Sequence, residues 1–130
     1  MIILLKLLLA HLAGDFLLQP DNWITEKEAR KHRSPKLYLH VLLHAALAWL
    51  LVWDLAFWLP ACVILISHYI IDLLKVWFQK PDNRTFWFVT DQTLHIVVLF
   101  AVWHTWADPK ISFEYFPAEN TLIVLTAILI

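Results

Sequence analysis

The sequence predicts an all-α fold, a polytopic transmembrane helix bundle with four full helices and a partial fifth, as one domain over residues 1–130. Hydrophobic residues make up 61% of the chain, and the mean hydropathy is +0.65. Soluble domains contain roughly 45–50% apolar residues, and a domain of this length could not bury the surplus in one core. The apolar residues also fall into long runs, which are typical of membrane helices. The net charge of −1 gives no indication of a nucleic-acid partner.

The apolar runs predict full helices at residues 2–19, 37–53, 57–79 and 86–106, and a partial helix at 121–130. Pro20 ends the first helix, Pro81 follows the third, and Asp108 with Pro109 breaks the fourth. No charged segment precedes the first run, so it is predicted to be a retained transmembrane helix and not a signal peptide. At about 1.5 Å per residue, the partial helix crosses only about half a bilayer. It is either a half-helix or the start of a segment that continues in a longer chain.

The linker after the first helix is polar and basic. Thr25 to Arg33 is predicted to form a short helix on the membrane surface, with Trp23 at the level of the lipid headgroups. Five lysines and arginines lie in this linker, none in the second connection, three around the third and one, Lys110, after the fourth helix. Because basic residues accumulate in cytoplasmic loops, this alternation predicts a multi-pass protein with its N-terminus outside.

Each full helix carries one pair of metal-binding residue types four positions apart, which places both side chains on one helix face. The pairs are His11/Asp15, His40/His44, His68/Asp72 and Asp91/His95. Successive helices run in opposite directions, yet every pair lies roughly 5–16 Å from the predicted cytoplasmic end of its helix, at about 1.5 Å per residue. The eight side chains are therefore expected to meet in one layer.

The three carboxylates of this layer require compensation, because a charged group at the bilayer centre costs about 2.5–3.5 kcal/mol or more. Lys6 lies near the opposite end of its helix, and Lys75 is predicted to be one turn too shallow. A divalent transition metal would neutralise the acids. Five imidazoles and three carboxylates suit zinc, manganese or iron better than calcium or magnesium, and zinc is the expected ion. Two ions with a bridging hydroxide would balance the charge, whereas one ion with four ligands would leave the other residues to orient those ligands.

Other polar residues are assigned roles around this layer. Asp15 and Asp91 are the candidate general bases, as carboxylates not fully committed to the metal. Lys75 and Arg84 lie near the cytoplasmic mouth and are candidates for binding a phosphate or carboxylate of a substrate. His32 and His104 lie outside the pairs and are expected to be solvated and interfacial, respectively.

The segments H-L-A-G-D-F-L-L-Q (His11 to Gln19), H-V-L-L-H, S-H-Y-I-I-D and D-Q-T-L-H resemble a family of small bacterial inner-membrane proteins of unknown function. The similarity covers nearly the whole chain. A looser likeness, based on His/Asp helices, is to predicted membrane-bound metal-dependent hydrolases. The resemblance implies the helical fold, a bacterial inner-membrane location and a metal site, and family members usually continue into further hydrophobic segments. It implies no demonstrated reaction.

Together these patterns favour a metal-dependent hydrolase that acts on a membrane lipid, or a lipid-linked ester or phosphoester, from the cytoplasmic leaflet. A metal-ion or proton transporter is an alternative, because paired His and Asp residues also mark ion pathways. The outer halves of the helices contain few polar residues, which disfavours it. Haem ligation by two histidines and a metal-stabilised module without turnover are further alternatives. The sequence leaves the oligomeric state open.

Overall fold

The computed structural model of the protein describes residues 1–107. The predicted partial helix at 121–130, the linker before it, Lys110, and the break at Asp108 and Pro109 lie outside the described residues.

The described part of the chain consists of five α-helices and short helical turns, with no β-strand among these residues. The helices are α1 (Ile2–Leu12), α2 (Asp21–Arg30), α3 (Pro35–Val52), α4 (Trp58–Phe78) and α5 (Arg84–Ala107). A π-helical turn, Ala13–Leu17, continues α1, and 3-10 turns at Lys31–Arg33, Leu55–Phe57 and Pro81–Asn83 precede the last three helices. The four predicted full helices correspond to α1 with its π turn, α3, α4 and α5, and no end differs by more than two residues.

Three segments are long and apolar enough to cross a membrane: Pro35–Val52, Leu55–Phe78 and Pro81–Trp106. Ile2–Leu17 meets the same description only together with Asp21–Arg33, from which it is bent by 86°. The described chain therefore has three segments able to span a bilayer, or four if the bent pair counts as one span. The predicted all-helical class is confirmed. Of the four predicted full spans, three are supported by length and apolar composition, and the fourth depends on counting the bent pair as one span.

The bundle is a ring in which each of α1, α3, α4 and α5 packs against two neighbours, in the order α1–α3–α4–α5. Large apolar side chains cover its outside, and Leu42, Ile66 and Val97 are each more than half exposed. Water would solvate this surface poorly, but lipid chains are as apolar as the side chains themselves. The outer surface is therefore suited to a membrane.

Local sequence signals fix both ends of α3. Ser34 is the N-cap, its Oγ accepts a hydrogen bond from the backbone N of Leu37 at 3.3 Å, and Pro35 occupies the first turn. Trp53 ends the helix in the left-handed conformation, with φ 58°. These ends place His40 and His44 on buried positions of α3.

The bundle interior has an apolar half and a polar half. The apolar core consists of Leu7, Ala10, Ala48, Phe57, Ala61, Ile64, Leu99, Val102 and Trp103. The paired residues lie in the other half, towards the end of the bundle where the π turn and the Pro81–Asn83 turn are found. α2 packs against α3 and α4 at this end. It overlaps the predicted surface helix, Thr25 to Arg33, but begins earlier, at Asp21, and ends at Arg30, before the 3-10 turn Lys31–Arg33.

Candidate metal centre

All eight paired residues lie in one cluster inside the bundle. α1 and its π turn supply His11 and Asp15, and the other members are His40 and His44 of α3, His68 and Asp72 of α4, and Asp91 and His95 of α5. Seven of them are buried, and the Asp15 side chain is 10% exposed. The structure thus brings together every side chain that the sequence places in this layer. His32 and His104 lie outside it and are exposed.

Asp15 is the centre of one half of the cluster. Its two carboxylate oxygens lie 3.0–3.9 Å from four imidazole Nε2 atoms, those of His44 (3.0 Å), His40 (3.3 Å), His11 (3.7 Å) and His68 (3.9 Å). Gln92 Nε2 also donates a hydrogen bond to Asp15 Oδ2 at 2.7 Å. Among residues 1–107, no lysine or arginine pairs with this carboxylate.

Asp72 is the centre of the other half. Its oxygens lie near three imidazole Nε2 atoms, those of His95 (3.4 Å), His40 (3.5 Å) and His68 (3.8 Å). Asp91 Oδ1 is 3.5 Å from His95 Nε2. All five clustered imidazoles therefore direct the same ring atom, Nε2, towards the carboxylates.

These separations match those between the ligands of one metal ion. Zinc binds nitrogen and oxygen at about 2.0–2.2 Å in tetrahedral geometry, which places neighbouring ligand atoms roughly 3.3–3.6 Å apart. Three groups each offer potential ligand atoms that all lie within 4.8 Å of one another: His11/Asp15/His44/His68, His40/His68/Asp72 and Asp72/Asp91/His95. The first and second groups share His68, and the second and third share Asp72, whereas the first and third have no residue in common.

Several potential ligand atoms are buried and make no hydrogen bond of good geometry among the described residues, although each faces a polar atom 3.0–3.7 Å away: His11 Nε2, His44 Nε2, His95 Nε2 and Asp91 Oδ1. A buried polar atom that lacks a partner costs about 1–3 kcal/mol. A cation inside the cluster would satisfy them, since neutral imidazole binds metals through a ring nitrogen. The donor set therefore fits a divalent transition metal.

Two lysines compensate two of the three acids. Lys27 Nζ lies 2.7 Å from Asp72 Oδ2, with both side chains buried, and Lys75 Nζ lies 2.9 Å from Asp91 Oδ2. The expectation that Lys75 is too shallow was wrong, because its long side chain reaches one turn further than its backbone position. Lys27 was not expected at the site, because it belongs to the polar linker. The chain turns by 86° after the π turn, and this brings α2 and Lys27 over the cluster.

The sequence provides only a weak indication that Lys27 is buried beside the cluster. It follows Trp23 by four residues and so shares the α2 face of that aromatic residue. A lysine one turn from a tryptophan is equally typical of a helix that lies on a membrane surface. Only the packing of α2 against α3 and α4 distinguishes the two cases.

An open cleft of about 590 Å³ leads from the cluster to the polar end of the bundle. Asp15 and Gln92 line its inner part, and Lys75, Gln79, Glu28 and Arg84 line it further out. Arg84 is exposed and lies 2.8 Å from Glu28, which also accepts a hydrogen bond from Gln79. Both predicted substrate-binding residues thus line the entrance, and each is paired with a carboxylate.

A family model described as "protein of unknown function (DUF3307)" matches residues 3–124. The chain belongs to the DUF3307 family. No curated protein and no solved structure matches it. The expected membership of a family of unknown function is confirmed, while the family description carries no reaction, and the likeness to metal-dependent hydrolases stays a hypothesis.

The only glycine of this DUF3307 chain, Gly14, lies in the π turn and allows His44 to approach α1. A Cβ atom at Gly14 would overlap the Cε1 and Nε2 atoms of the His44 ring. The backbone of Gly14 is helical and needs no special conformation. Its role is therefore steric, because the missing side chain leaves room for the imidazole beside Asp15.

We expect Gly14→Ala to destabilise the protein, although alanine is favoured over glycine in a helix by about 1 kcal/mol. The added methyl group must displace His44, and overpacking of this kind costs about 1–3 kcal/mol. The measurement is the thermal unfolding midpoint in detergent. Gly14→Ala in a His44→Ala background is the control, since the methyl group has space there and should be neutral or stabilising. Equal destabilisation in both backgrounds would contradict the steric role.

We expect Lys27→Met to destabilise the chelator-treated protein by about 3–5 kcal/mol, because it leaves Asp72 buried without its partner. The measurement is the free energy of unfolding from a denaturant titration. Lys27→Met/Asp72→Asn should recover part of the loss, as it removes the uncompensated charge. Arg84→Gln, which breaks the exposed pair with Glu28, is the matched control and should cost about 0–1 kcal/mol. A Lys27→Met variant as stable as the wild type would show that the pair does not form.

Proposed function

We propose that this protein is a membrane-embedded, metal-dependent hydrolase that acts on a lipid, or a lipid-linked ester or phosphoester, from the cytoplasmic leaflet. The observation that carries the proposal is the convergence of five imidazole Nε2 atoms and three carboxylates, one pair from each of four elements, inside an apolar bundle. A bundle stabilised by hydrogen bonds alone would pair these atoms in good geometry, whereas four of them face polar atoms at 3.0–3.7 Å without forming such a bond among residues 1–107.

The proposed ion is zinc, bound by His11, Asp15, His44 and His68. Asp15 is the carboxylate of the cluster that no lysine compensates, and its oxygens lie 3.0–3.9 Å from the three imidazoles. Asp72 and Asp91 are already paired with Lys27 and Lys75. His40 and His95 then hold and orient the ligands, as residues behind a metal site commonly do.

Charge favours one ion over two. With neutral imidazoles, three carboxylates and two lysines leave one net negative charge on the cluster. One divalent ion with a bound hydroxide balances it, whereas two ions with one hydroxide leave two positive charges in excess. Two ions with a bridging hydroxide would be neutral only if Lys27 and Lys75 did not pair with the carboxylates. In a low-dielectric interior, the neutral arrangement is the less costly one.

In this arrangement the metal would lower the pKa of a bound water and polarise the scissile group. Asp91 is the better candidate for the general base, because its buried Oδ1 has no hydrogen-bond partner among the described residues. Its other oxygen is held by Lys75 and by Gln92, at 2.9 and 3.1 Å, which fixes the carboxylate in place. Asp15 is the alternative base, but its Oδ1 faces three imidazoles, whereas Asp91 Oδ1 faces only that of His95.

The cleft supplies the route for a substrate. It opens at the end of the bundle where the basic linker and the Pro81–Asn83 turn lie, and the connection at Leu55–Phe57, at the other end, has no basic residue. By the positive-inside rule, the cleft then faces the cytoplasm and the N-terminus lies outside the bacterial inner membrane. Arg84 and Lys75 at the entrance would bind the anionic part of a substrate.

The described structure gives less support to the alternatives. A transporter requires access from both sides, and the apolar core from Leu7 to Trp103 separates the cluster from the other end of the bundle. Haem requires space between its axial ligands. The imidazole rings stack with centroids as close as 3.9 Å, and the small cavity beside them, about 10 Å³, has room for about one water molecule.

We expect purified protein to contain about one zinc ion per chain, and His44→Ala, which removes a proposed ligand, to lose it. The measurement is elemental analysis after purification in mild detergent. His104→Ala is the matched control, because His104 is exposed and lies outside the cluster, and it should retain the ion. Full metal occupancy in His44→Ala would contradict the assignment, and two ions per chain would contradict the charge argument.

We expect chelator-sensitive hydrolysis of fluorescent phospholipids, or of lipid-linked phosphodiester analogues, in mixed micelles. Asp91→Asn should retain zinc but lose activity by about 10²–10⁴-fold, because it removes the proton acceptor and not a ligand. The measurement is the initial rate together with the metal content of the same sample. Zinc flux into proteoliposomes without any hydrolysis would favour a transporter. Asp91→Asn with full activity would reassign the base to Asp15.

A further inference from the structure

A basic surface next to the candidate metal centre has no role in the proposed reaction. We name it the basic patch: Arg30, Lys31, His32 and Arg33, gathered around the side chain of Trp77. Together with Ala29 they line a surface depression of about 480 Å³. Among residues 1–107, none of its lysines or arginines lies within ion-pairing distance of a carboxylate, whereas Lys27, Lys75 and Arg84 all do. The patch therefore carries uncompensated positive charge.

The backbone of the patch is held in a strained conformation. Lys31 has φ 53° and ψ −125°, a region that residues with a side chain rarely adopt. The turn is held by side chains: Lys31 Nζ lies 4.4 Å from the centre of the Trp77 ring, and the His32 ring stacks on the same indole. The Tyr38 hydroxyl donates a hydrogen bond to the His32 carbonyl at 2.7 Å. The basic side chains are thus displayed from a fixed turn and not from a free loop.

The patch lies at the end of an apolar stripe on α4. Ile70, Leu74 and Trp77 are spaced at i, i+4 and i+7, which puts them on one helix face, and all three are exposed. In a membrane this face meets acyl chains, and its last member is the tryptophan at the centre of the patch. An apolar stripe that ends in a cluster of cations and an interfacial aromatic residue matches a phospholipid, with its chains along α4 and its phosphate at the patch.

We propose that the basic patch binds the headgroup of an anionic phospholipid. Arg30 and Arg33 would hold the phosphate oxygens, with Lys31 over Trp77 closing the depression. The proposal does not depend on the hydrolase, since it concerns a different surface from the cleft. The patch and Lys27 belong to one short segment, so a lipid bound here would also hold the part of the chain that inserts Lys27 beside Asp72.

The test is native mass spectrometry of the full chain in micelles doped with phosphatidylglycerol or phosphatidylcholine. Wild-type protein should bind phosphatidylglycerol more tightly than phosphatidylcholine. Arg30→Gln/Arg33→Gln should weaken that binding about 25-fold, or about fivefold for each basic residue removed near a membrane surface. Both residues are exposed, so the variant should fold and bind phosphatidylcholine as before.

The matched control is Lys36→Gln/Lys80→Gln, which removes the same charge from the same end of the bundle but not from the patch. It should bind phosphatidylglycerol like the wild type. Equal losses in both variants would overturn the proposal, because general surface charge would then explain the binding. Unchanged binding in Arg30→Gln/Arg33→Gln would also overturn it.

A second measurement distinguishes a lipid from a free phosphate. The wild-type unfolding midpoint should rise with phosphatidylglycerol and not with inorganic phosphate. An equal rise with phosphate would overturn the lipid assignment.

Discussion

Three carboxylates, those of Asp15, Asp72 and Asp91, lie inside an apolar helix bundle, and their charge constrains the arrangement around them. Burial removes the water that would stabilise a carboxylate, so each charge needs a cation or several donors. Lys27 pairs with Asp72 at 2.7 Å, and Lys75 pairs with Asp91 at 2.9 Å. Asp15 instead faces four imidazoles and one amide. This difference singles out Asp15 as the place where a further positive charge is most strongly favoured.

The need to compensate buried carboxylates also explains the position of α2, which supplies Lys27 to Asp72. A short polar helix beside an apolar bundle contributes little apolar burial, and α2 packs mainly against α3 and α4, with its Glu28 also paired to Arg84 of α5. Its Lys27 is nevertheless buried, at 6% exposure, because it completes an ion pair inside the bundle. Burying an unpaired lysine would be costly, so the position of α2 and the charge of Asp72 depend on each other. α2 is therefore part of the candidate centre.

The π turn that follows α1 places a small residue, Gly14, next to a polar one, Asp15. A π turn holds one more residue than an α-helical turn, and such turns are frequent at functional sites. Here it carries both Gly14, whose missing side chain admits the His44 ring, and Asp15, which that ring approaches to 3.0 Å. A regular helix with an alanine at this position could not bring α1 and α3 into the same contact.

Sequence patterns alone predicted the helical class, the ends of four helices to within two residues, and the eight paired residues that share one layer. These follow from local properties: the length of apolar runs, the i, i+4 spacing, and the constant distance of each pair from one helix end. The pairing of Lys27 with Asp72 and of Lys75 with Asp91, and the return of α2 over the cluster, became evident only in the folded chain. Those contacts depend on the direction of a chain bend and on the reach of flexible side chains. Neither the bend nor the side-chain reach produces a periodic pattern in the sequence, and Lys27 and Asp72 lie 45 residues apart.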